Sequence, residues 1–267
     1  VMDLLQVSGI KAIPTGIAHG TVTALIGERH IEITTLRKDV STDGRHAEVE
    51  YTEDWNADAA RCDFTINALY LSPEGEVFDY FGGQEDLKAR HVRFIGDAET
   101  RIKEDYLRIL RFFRFYARYG KDEPDAKAMQ ACKALAPGMS QLSGERVQQE
   151  LLALLAFPNV YSTLRLMHDN GILDHALDVK LEDISLLEKV EQLGGQLLAQ
   201  DPLVKLKALL IRLNYEARDA IIERLRLSNA DAKSIRYSEL IPPSASLVYQ
   251  DKLYQKMGPY IFSISST

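Results

Sequence analysis

The stretch RIKEDYLRILRFFRFYARY, residues 101–119, decides how this sequence is interpreted. Each residue of an α-helix turns about 100° around the axis, so charged residues here collect on one side and large apolar residues on the other. The pattern predicts one amphipathic helix that packs on a core. The charged side holds Arg101, Glu104, Asp105, Arg108, Arg111, Arg114 and Arg118, and the apolar side holds Ile102, Tyr106, Ile109, Leu110, Phe113, Tyr116 and Ala117.

The arginine-rich side of this predicted helix has two interpretations. Arginine presents a planar fork of donors that suits phosphates and base edges, which favours a nucleotide or nucleic-acid ligand. Charged helix faces are also commonly just solvated and held by weak pairs three or four residues apart. Residues 101–119 alone leave both alternatives open.

Composition excludes several classes of protein. The chain has 267 residues, 46% of them hydrophobic, which is enough for one large or two modest domains. A formal net charge of −7 argues against non-specific coating of nucleic acid, so any such contact requires a local basic patch. The two cysteines, Cys62 and Cys132, have no metal-ligand spacing. No apolar run approaches the roughly 18 to 20 residues of a membrane span, and a cytoplasmic location is expected.

The hydrophobic pattern changes along the chain and predicts an α+β fold. Alternating residues at 11–14, 19–26 and 31–37 predict a small sheet. Polar, turn-rich residues 38–53 predict a mobile loop, residues 58–71 a helix, and Pro73-Glu74-Gly75 a tight turn before a strand. A short strand is expected at 90–94, and helices alone follow, at 126–135, 146–157, 161–170, 184–198, 204–213, 215–227 and 247–262.

Five segments in fixed order carry a resemblance: IEITTLR, RCDFTINAL, FDYFGGQEDL, EDYLRILRFFRF and SGERVQQELLALL. Together they resemble the class II tRNA nucleotidyltransferase and poly(A) polymerase family, which includes the bacterial CCA-adding enzymes. The resemblance covers residues 1–157, with weaker helical similarity beyond. It implies a polymerase-β-like nucleotidyltransferase head over residues 1–98, a helical neck over 99–157 that recognises the base, and a helical body over 158–267 that binds RNA.

The activity implied by this resemblance is template-independent addition of C and A to the 3′ end of tRNA. The substrates would be CTP and ATP, and two Mg²⁺ ions would share the charge of the transferring phosphoryl group. Poly(A) polymerase and partial A-adding or CC-adding activity remain alternatives within the family. A non-catalytic RNA-binding module is the alternative from another class. The oligomeric state is not predicted.

Nucleotide selection is expected on the charged side of residues 101–119. Cytosine and adenine both offer an amino donor beside a ring-nitrogen acceptor, which suits Asp105 as acceptor and Arg108 as donor. The resemblance implies this same role for the pair and assigns Arg111 and Arg114 to nucleotide binding. For Arg114 the alternative is a salt bridge to the first domain. Among the aromatic residues, Phe112 and Phe115 are further candidates for base stacking.

The metal site is expected to be incomplete in this sequence. In the family, a D-x-D pair on a strand after a glycine-rich turn precedes all of the segments quoted above. Glu32 occupies the position of the third carboxylate, as a catalytic residue and metal ligand, with a purely structural role as the alternative. We therefore expect further residues before Val1 in the natural protein and no transfer activity from the 267 residues alone.

The segment RCDFTINAL departs from the family at one position. Cys62 stands where the family has an arginine that contacts nucleotide, so Arg61, Arg37 or Lys38 compensates or triphosphate affinity falls. Asp63 and Asn67, four residues apart, are expected to orient neighbouring side chains. Elsewhere, the dipeptide His168-Asp169 permits an HD-phosphohydrolase interpretation, but it lacks the further metal ligands that such a site needs.

Overall fold

The computed structural model describes residues 1–17, 20–42, 47–193 and 201–237. The chain divides into two compact units, the first covering residues 1–86 and the second beginning at Leu87. The α+β class is confirmed, because small sheets occupy the first unit and helices make up the second. The predicted division at residues 98 and 157 stays a prediction.

An antiparallel sheet opens the first unit, as predicted from the alternating residues. Its strand order is β1-β2-β3, and Thr23 of the central strand lies opposite Glu32 of the edge strand. Gly27, at φ 60°, makes the turn between the last two strands, a conformation that favours glycine. The elements are α1 (Met2–Val7), β1 (Lys11–Gly16), β2 (Thr21–Ile26) and β3 (Arg29–Thr34).

The loop predicted for residues 38–53 is wrong where the structure describes it. An antiparallel hairpin of β4 (Arg37–Thr42) and β5 (Ala47–Tyr51) occupies this segment instead. The Asp43-Gly44 pair at its centre lies outside the described residues. Asp-Gly between two runs of strand-forming residues is a strong hairpin signal, and the polar composition of the segment concealed it.

The helix predicted for residues 58–71 is also wrong, because the segment divides into three short elements. Asp54 accepts hydrogen bonds from the backbone N–H groups of Asn56 and Ala57, which starts the first helix early. The tight turn predicted at Pro73-Glu74-Gly75 leads into a strand, as expected, and this strand pairs antiparallel with the preceding residues 69–71. The elements are α2 (Trp55–Ala59), a 3₁₀ turn (Thr65–Asn67), β6 (Leu69–Leu71) and β7 (Val77–Asp79).

Asp79 fixes the chain where β7 meets the next helix, α3 (Gly83–Ala89). Its carboxylate accepts backbone N–H bonds from residues 81 to 84, at 2.8 to 3.2 Å. Burial raises the pKa of Asp79, but the hydrogen bonds from Gln84, Gly83, Phe81 and Gly82 outweigh burial and lower it overall. A side chain at buried Gly83 would collide with the carbonyl oxygen of Thr65, so close packing requires glycine at this position.

Residues 101–119 form two helices rather than the single helix predicted. The first ends at Glu104, Asp105 is extended at φ −156° and ψ 108°, and the second begins at Leu107. Residues 90–94 form no strand. The elements of this region are α4 (Ala98–Glu104), α5 (Leu107–Tyr119), α6 (Ala126–Leu135), a 3₁₀ turn (Ala136–Gln141) and α7 (Gly144–Leu155).

The remaining described helices build a fully buried core with α5 and α7. Its side chains include Ile109, Phe113, Leu151 and Leu164, each completely inaccessible to solvent. The sequence did not predict the short helices α9 and α13, and the helix predicted for 247–262 lies outside the described residues. The elements are α8 (Tyr161–Asp169), α9 (Ile172–Leu177), α10 (Ser185–Leu193), α11 (Pro202–Leu210), α12 (Tyr215–Arg224) and α13 (Asn229–Arg236).

Candidate functional site

The break at Asp105 is the local feature that shapes the candidate site. The Asp105 carboxylate accepts a hydrogen bond from the backbone N–H of Leu107 at 3.1 Å, so the side chain replaces a backbone partner at the start of α5. Short acidic side chains compete with the helical backbone in this way. Asp105 therefore lies between two helices and not on the face of one, which corrects the geometry assumed from the sequence.

Asp105 is held in place by a residue from α7. Arg146 Nη2 lies 2.7 Å from Asp105 Oδ2, and both side chains remain partly exposed, at 31% and 22%. A carboxylate has about four lone-pair positions, so two hydrogen bonds leave acceptor capacity for a ligand. The structure thus gives Asp105 a fixed orientation and an exposed acceptor edge.

Arg108 is held by the end of α4. Its Nη1 atom pairs with the Glu104 carboxylate and donates to the carbonyl oxygen of Arg101 at 2.7 Å. Arg101 Nη1 lies 2.6 Å from Glu104, so two guanidinium groups share one carboxylate. Within the described part of the chain, Arg108 Nε and Nη2 make no hydrogen bond. The Nη1 edge of this guanidinium is therefore anchored, while Nε and Nη2 can donate hydrogen bonds to a ligand.

Arg111 and Arg114 meet a single carboxylate on α7. Arg114 Nε lies 2.5 Å from Glu150 Oε2, and Arg111 Nη1 lies 3.4 Å from Glu150 Oε1. Both guanidinium groups also lie over the Phe115 ring, at 4.7 and 5.6 Å from its centroid. The salt bridge of Arg114 is thus made to α7, within the second unit.

The aromatic residues of α5 divide between core and surface. Phe112 is completely buried and stacks on Phe94, with ring centroids 5.8 Å apart, so it does not offer a face to a base. Phe115 is half-buried beneath the two arginines. Arg118 is exposed and lies over Tyr119 at 5.1 Å, one turn beyond the arginines that contact Glu150.

Glu32 does not lie in a metal-binding arrangement. It is exposed on the edge strand β3, opposite the hydroxyl side chain of Thr23. Across the described residues, no group of three His, Cys, Asp or Glu side chains is placed to hold a metal ion. The donors present therefore do not fit the two-metal site that the resemblance implies, since two divalent ions need several oxygen ligands.

Asp58 contacts several residues near Cys62, the position at which the segment RCDFTINAL differs from the family pattern. Its carboxylate accepts from the backbone N–H of Arg37 at 2.9 Å and from the Tyr70 hydroxyl at 2.7 Å, and Arg61 lies 3.9 Å away. Burial, and then the hydrogen bond to Asp58, raises the pKa of Tyr70. Cys62 is half-buried, and neither cysteine forms a disulfide. Asp58 therefore holds α2, β4 and β6 together.

The remaining predicted residues make local contacts. Asn67 donates to Asp63 at 2.9 Å, across a 3₁₀ turn rather than an α-helix, and Asp63 also accepts from the backbone of Phe64. His168 Nε2 lies 2.9 Å from the Leu181 carbonyl oxygen, and Nδ1 lies 3.4 Å from Asp169. These contacts describe a histidine held by its neighbours at the end of a helix.

Sequence reasoning missed Arg146, Glu150 and Asp58 as members of these clusters. Arg146 and Glu150 are four residues apart and therefore lie on one face of α7, which faces α5. The segment SGERVQQE indicated such contacts, because Arg146 and Glu150 lie on the same side of the helix and can pair with charges on a neighbouring one. Ser143 occupies the N-cap position of α7 but makes no side-chain capping hydrogen bond.

Two models of known protein families match parts of this chain. Residues 1–93 match the family model described as the poly A polymerase head domain, and residues 123–179 match the model described as the probable RNA and SrmB-binding site of polymerase A. Together the two models match more than half of the chain. Among the described residues, no helix has both the length and the apolar character needed to cross a membrane.

Similar proteins and structures carry consistent names. A mouse protein named CCA tRNA nucleotidyltransferase 1, mitochondrial, is 45% identical over 70% of this chain and 44% of its own length. A CCA-adding enzyme of Leuconostoc mesenteroides is 38% identical over 66% of the chain and 44% of its length. The chain therefore spans less than half the length of these two relatives.

The fold is shared with solved structures. The CCA-adding enzyme of Bacillus stearothermophilus in complex with CTP superposes with a TM-score of 0.66 at 24% identity, over 92% of this chain and 60% of that one. A tRNA nucleotidyltransferase complexed with a primer tRNA and an incoming ATP analog gives 0.68 at 22% identity, over 96% and 72%. The head and helical architecture, the ordered segments and the two family models lead to one conclusion: the chain belongs to the tRNA nucleotidyltransferase and poly(A) polymerase family.

Proposed function

We propose that this chain carries the nucleotide-selecting part of a template-independent tRNA nucleotidyltransferase, which adds C and A to tRNA 3′ ends from CTP and ATP. The observation that supports the proposal most directly is the pair formed by Asp105 and Arg108. Each is fixed by an oppositely charged neighbour, Arg146 or Glu104, and each keeps hydrogen-bonding capacity toward a ligand. The names of the relatives identify the same activity.

The chemistry of the pair explains a preference for C and A. Cytosine and adenine each place an exocyclic amino donor beside a ring-nitrogen acceptor. Asp105 would accept from the amino group, and Arg108 would donate to the ring nitrogen. Uracil presents a carbonyl acceptor and a ring N–H donor at these positions, so it would set acceptor against acceptor at Asp105. A fixed pair of side chains would thereby replace a template base.

The phosphates would be bound by the neighbouring arginines. Arg111 and Arg114 follow Arg108 by one and two turns of α5, and arginine pairs bidentately with phosphate oxygens. In the first unit, Arg61 is a further candidate, while Cys62 supplies no positive charge at the position where the family has one. Mg²⁺ is implied by the resemblance, but the described carboxylates do not fit it, so the roles proposed for this chain end at nucleotide selection and binding.

Alternative activities make different products. The name of the head-domain family favours a poly(A) polymerase, which would incorporate ATP alone, and partial enzymes of the family would add only A or only CC. The absence of an acidic cluster from the described residues favours an RNA-binding module without catalysis. Each alternative keeps the family's fold and changes the nucleotide that is used or incorporated.

The decisive experiment combines nucleotide binding with product analysis. Calorimetric titration of the chain with CTP, ATP, UTP and GTP should show binding of the first two over the second two. Radiolabelled CTP and ATP are then offered with Mg²⁺ to a tRNA lacking CCA. Ordered incorporation of both would establish CCA addition, ATP alone would indicate poly(A) synthesis, and selective binding without incorporation would agree with the expected inactivity of this chain.

Equal binding of all four nucleotides would contradict the proposal. The tRNA 3′ end is the proposed partner, and retardation of a tRNA lacking CCA in a native gel measures that interaction separately. The predicted cytoplasmic location stays a prediction, because the relatives include proteins named mitochondrial as well as bacterial ones.

A further inference from the structure

We infer that Glu150 is a resident counter-charge for Arg111 and Arg114, which a nucleotide triphosphate must displace or share, and which limits phosphate affinity so that the base contacts decide binding. The inference rests on the proposed function, since it concerns the same nucleotide site. Neither the sequence pattern nor the names of the relatives assigns a role to this residue.

The geometry places Glu150 against the two guanidinium groups that a phosphate would contact. Its two oxygens take one guanidinium each, at 2.5 Å to Arg114 and 3.4 Å to Arg111. The Glu150 side chain is 13% exposed, whereas the side chains of Arg114 and Arg111 are 21% and 30% exposed. The anion is thus more deeply placed than its cations, so a ligand approaching from solvent meets the guanidinium groups first.

A second contact supports the two arginines independently of Glu150. Both guanidinium groups lie over the Phe115 ring, at 4.7 and 5.6 Å, and this ring belongs to the same helix. Cation–π contacts and the rigid helix would keep the two side chains near their places when the carboxylate is neutralised. The effect specific to Glu150 is therefore electrostatic.

The charge balance explains the benefit of this arrangement. Phosphate attraction is the same for all four nucleotides, so it strengthens correct and incorrect ligands equally. A resident carboxylate reduces this common attraction without changing the difference between bases. The Asp105 and Arg108 contacts then contribute the larger share of the affinity, and a mismatched nucleotide binds too weakly to occupy the site.

The test uses a probe that has no base. Sodium tripolyphosphate is titrated into the 267-residue chain and into E150Q, with E145Q as the matched control, because Glu145 is an exposed carboxylate on the same helix. We expect E150Q to bind tripolyphosphate about three- to tenfold more tightly, the size expected for removing one nearby, partly screened charge. The gain should shrink at high salt, and E145Q should match the unmodified chain.

Two further variants separate this role from a structural one. In an R111A/R114A background, the E150Q substitution should give no gain, because the cations that the carboxylate neutralises are absent. E150D retains the charge at a greater distance and should bind tripolyphosphate with an affinity between those of the unmodified chain and E150Q. This variant keeps the inference testable if E150Q does not fold.

Weaker tripolyphosphate binding by E150Q or E150D would overturn the inference, since it would mean that Glu150 positions the arginines. A gain that persists in the R111A/R114A background would overturn it as well. A different result would contradict the proposed function, namely equal binding of CTP and UTP by the unmodified chain. Tripolyphosphate carries no base, so the two failures are distinguishable.

Discussion

The two units of the molecule differ in how completely they bury their apolar side chains. In the second unit, Phe112, Phe113 and Leu151 have no exposed surface. In the first unit, large apolar side chains are exposed on small sheets of two or three strands, including Ile26 at 48% and Leu71 at 69% exposure. The candidate selection residues belong to the tightly packed unit.

This difference explains why the side chains predicted for base selection are held more firmly than the side chain predicted for metal binding. Asp105 and Arg108 lie on helix ends supported by a buried core, and packed elements hold side chains to narrow ranges of orientation. Glu32 lies on an exposed edge strand and has no acidic group beside it that could complete a metal site within the described residues. The residues proposed for nucleotide selection are therefore held in fixed positions, whereas the described residues provide no carboxylate cluster for a metal ion.

The largest expected effect comes from the core that supports the site. Phe112→Ala should lower the free energy of unfolding by about 3–5 kcal/mol, because it leaves a cavity beneath α5. Leu71→Ala, at an exposed position of the first unit, should change it by less than about 0.5 kcal/mol. Thermal denaturation followed by circular dichroism measures both. Similar losses for the two variants would mean that the units are equally well packed.

The next effect concerns base choice. Replacing Asp105 and Arg108 together by alanine should reduce discrimination of CTP from UTP, by about 1–3 kcal/mol for each good bidentate interaction with the base that the substitutions remove. Both side chains are partly exposed, Asp105 at 22% and Arg108 at 15%, so the variant should still fold. Competitive titration with the two nucleotides measures the ratio, and Arg118→Ala serves as the control. Unchanged selectivity in the folded double variant would refute the proposed templating role.

A smaller effect is expected at Asp79, which stabilises the first unit. Asp79→Ala removes the acceptor of four backbone N–H groups and should cost about 1–2 kcal/mol, as for the loss of a helix cap. Because the folded-state pKa of Asp79 is lowered, its contribution is present above the unfolded pKa of about 3.9 and is lost as pH falls through the folded value. Denaturation of the unmodified chain and the variant from pH 7 to pH 2 should therefore converge at the acid end.

The smallest effect separates two arginines of one helix. Arg111→Ala should weaken nucleotide binding several-fold more than Arg118→Ala, since Arg111 lies among the residues of the candidate site and Arg118 lies beyond them over Tyr119. The difference should shrink at high salt because it is electrostatic. Titration with CTP at two salt concentrations provides the measurement. Equal losses would mean that the arginines of α5 act as a diffuse basic patch.

Periodicity predicted the long elements well and the short ones poorly. The strands at 11–16 and 21–26 and most of the described helices after residue 126, all except α9 and α13, were recognisable because their patterns are long or strongly apolar. The break at Asp105 was not, because a helix wheel assumes continuity and gives no weight to a single side chain that competes with the backbone. The three elements between 55 and 71 were missed for the same reason, since Asp54 and Asp63 act on backbone groups nearby.

The site was predicted in its residue types more than in its geometry. The resemblance supplied Asp105, Arg108, Arg111 and Arg114. The structure pairs Asp105 with a guanidinium group of α7 and pairs the three arginines with carboxylates of α4 and α7. Their partners Arg146 and Glu150 could not be assigned from α5 alone, since pairing between helices depends on tertiary packing rather than on spacing along one chain. Residues on two helices have to be considered together before such pairs become visible.

The contact between Arg108 and the Arg101 carbonyl links ligand binding to helix stability. That carbonyl belongs to the last turn of α4, where acceptors lack partners within the helix, and the guanidinium supplies one. A nucleotide base that draws Arg108 toward itself would weaken this capping contact, while one that fits without moving it would strengthen the junction. Amide hydrogen exchange at residues 102–105 would then report whether the bound base is the matching one, since protection there follows the integrity of the turn.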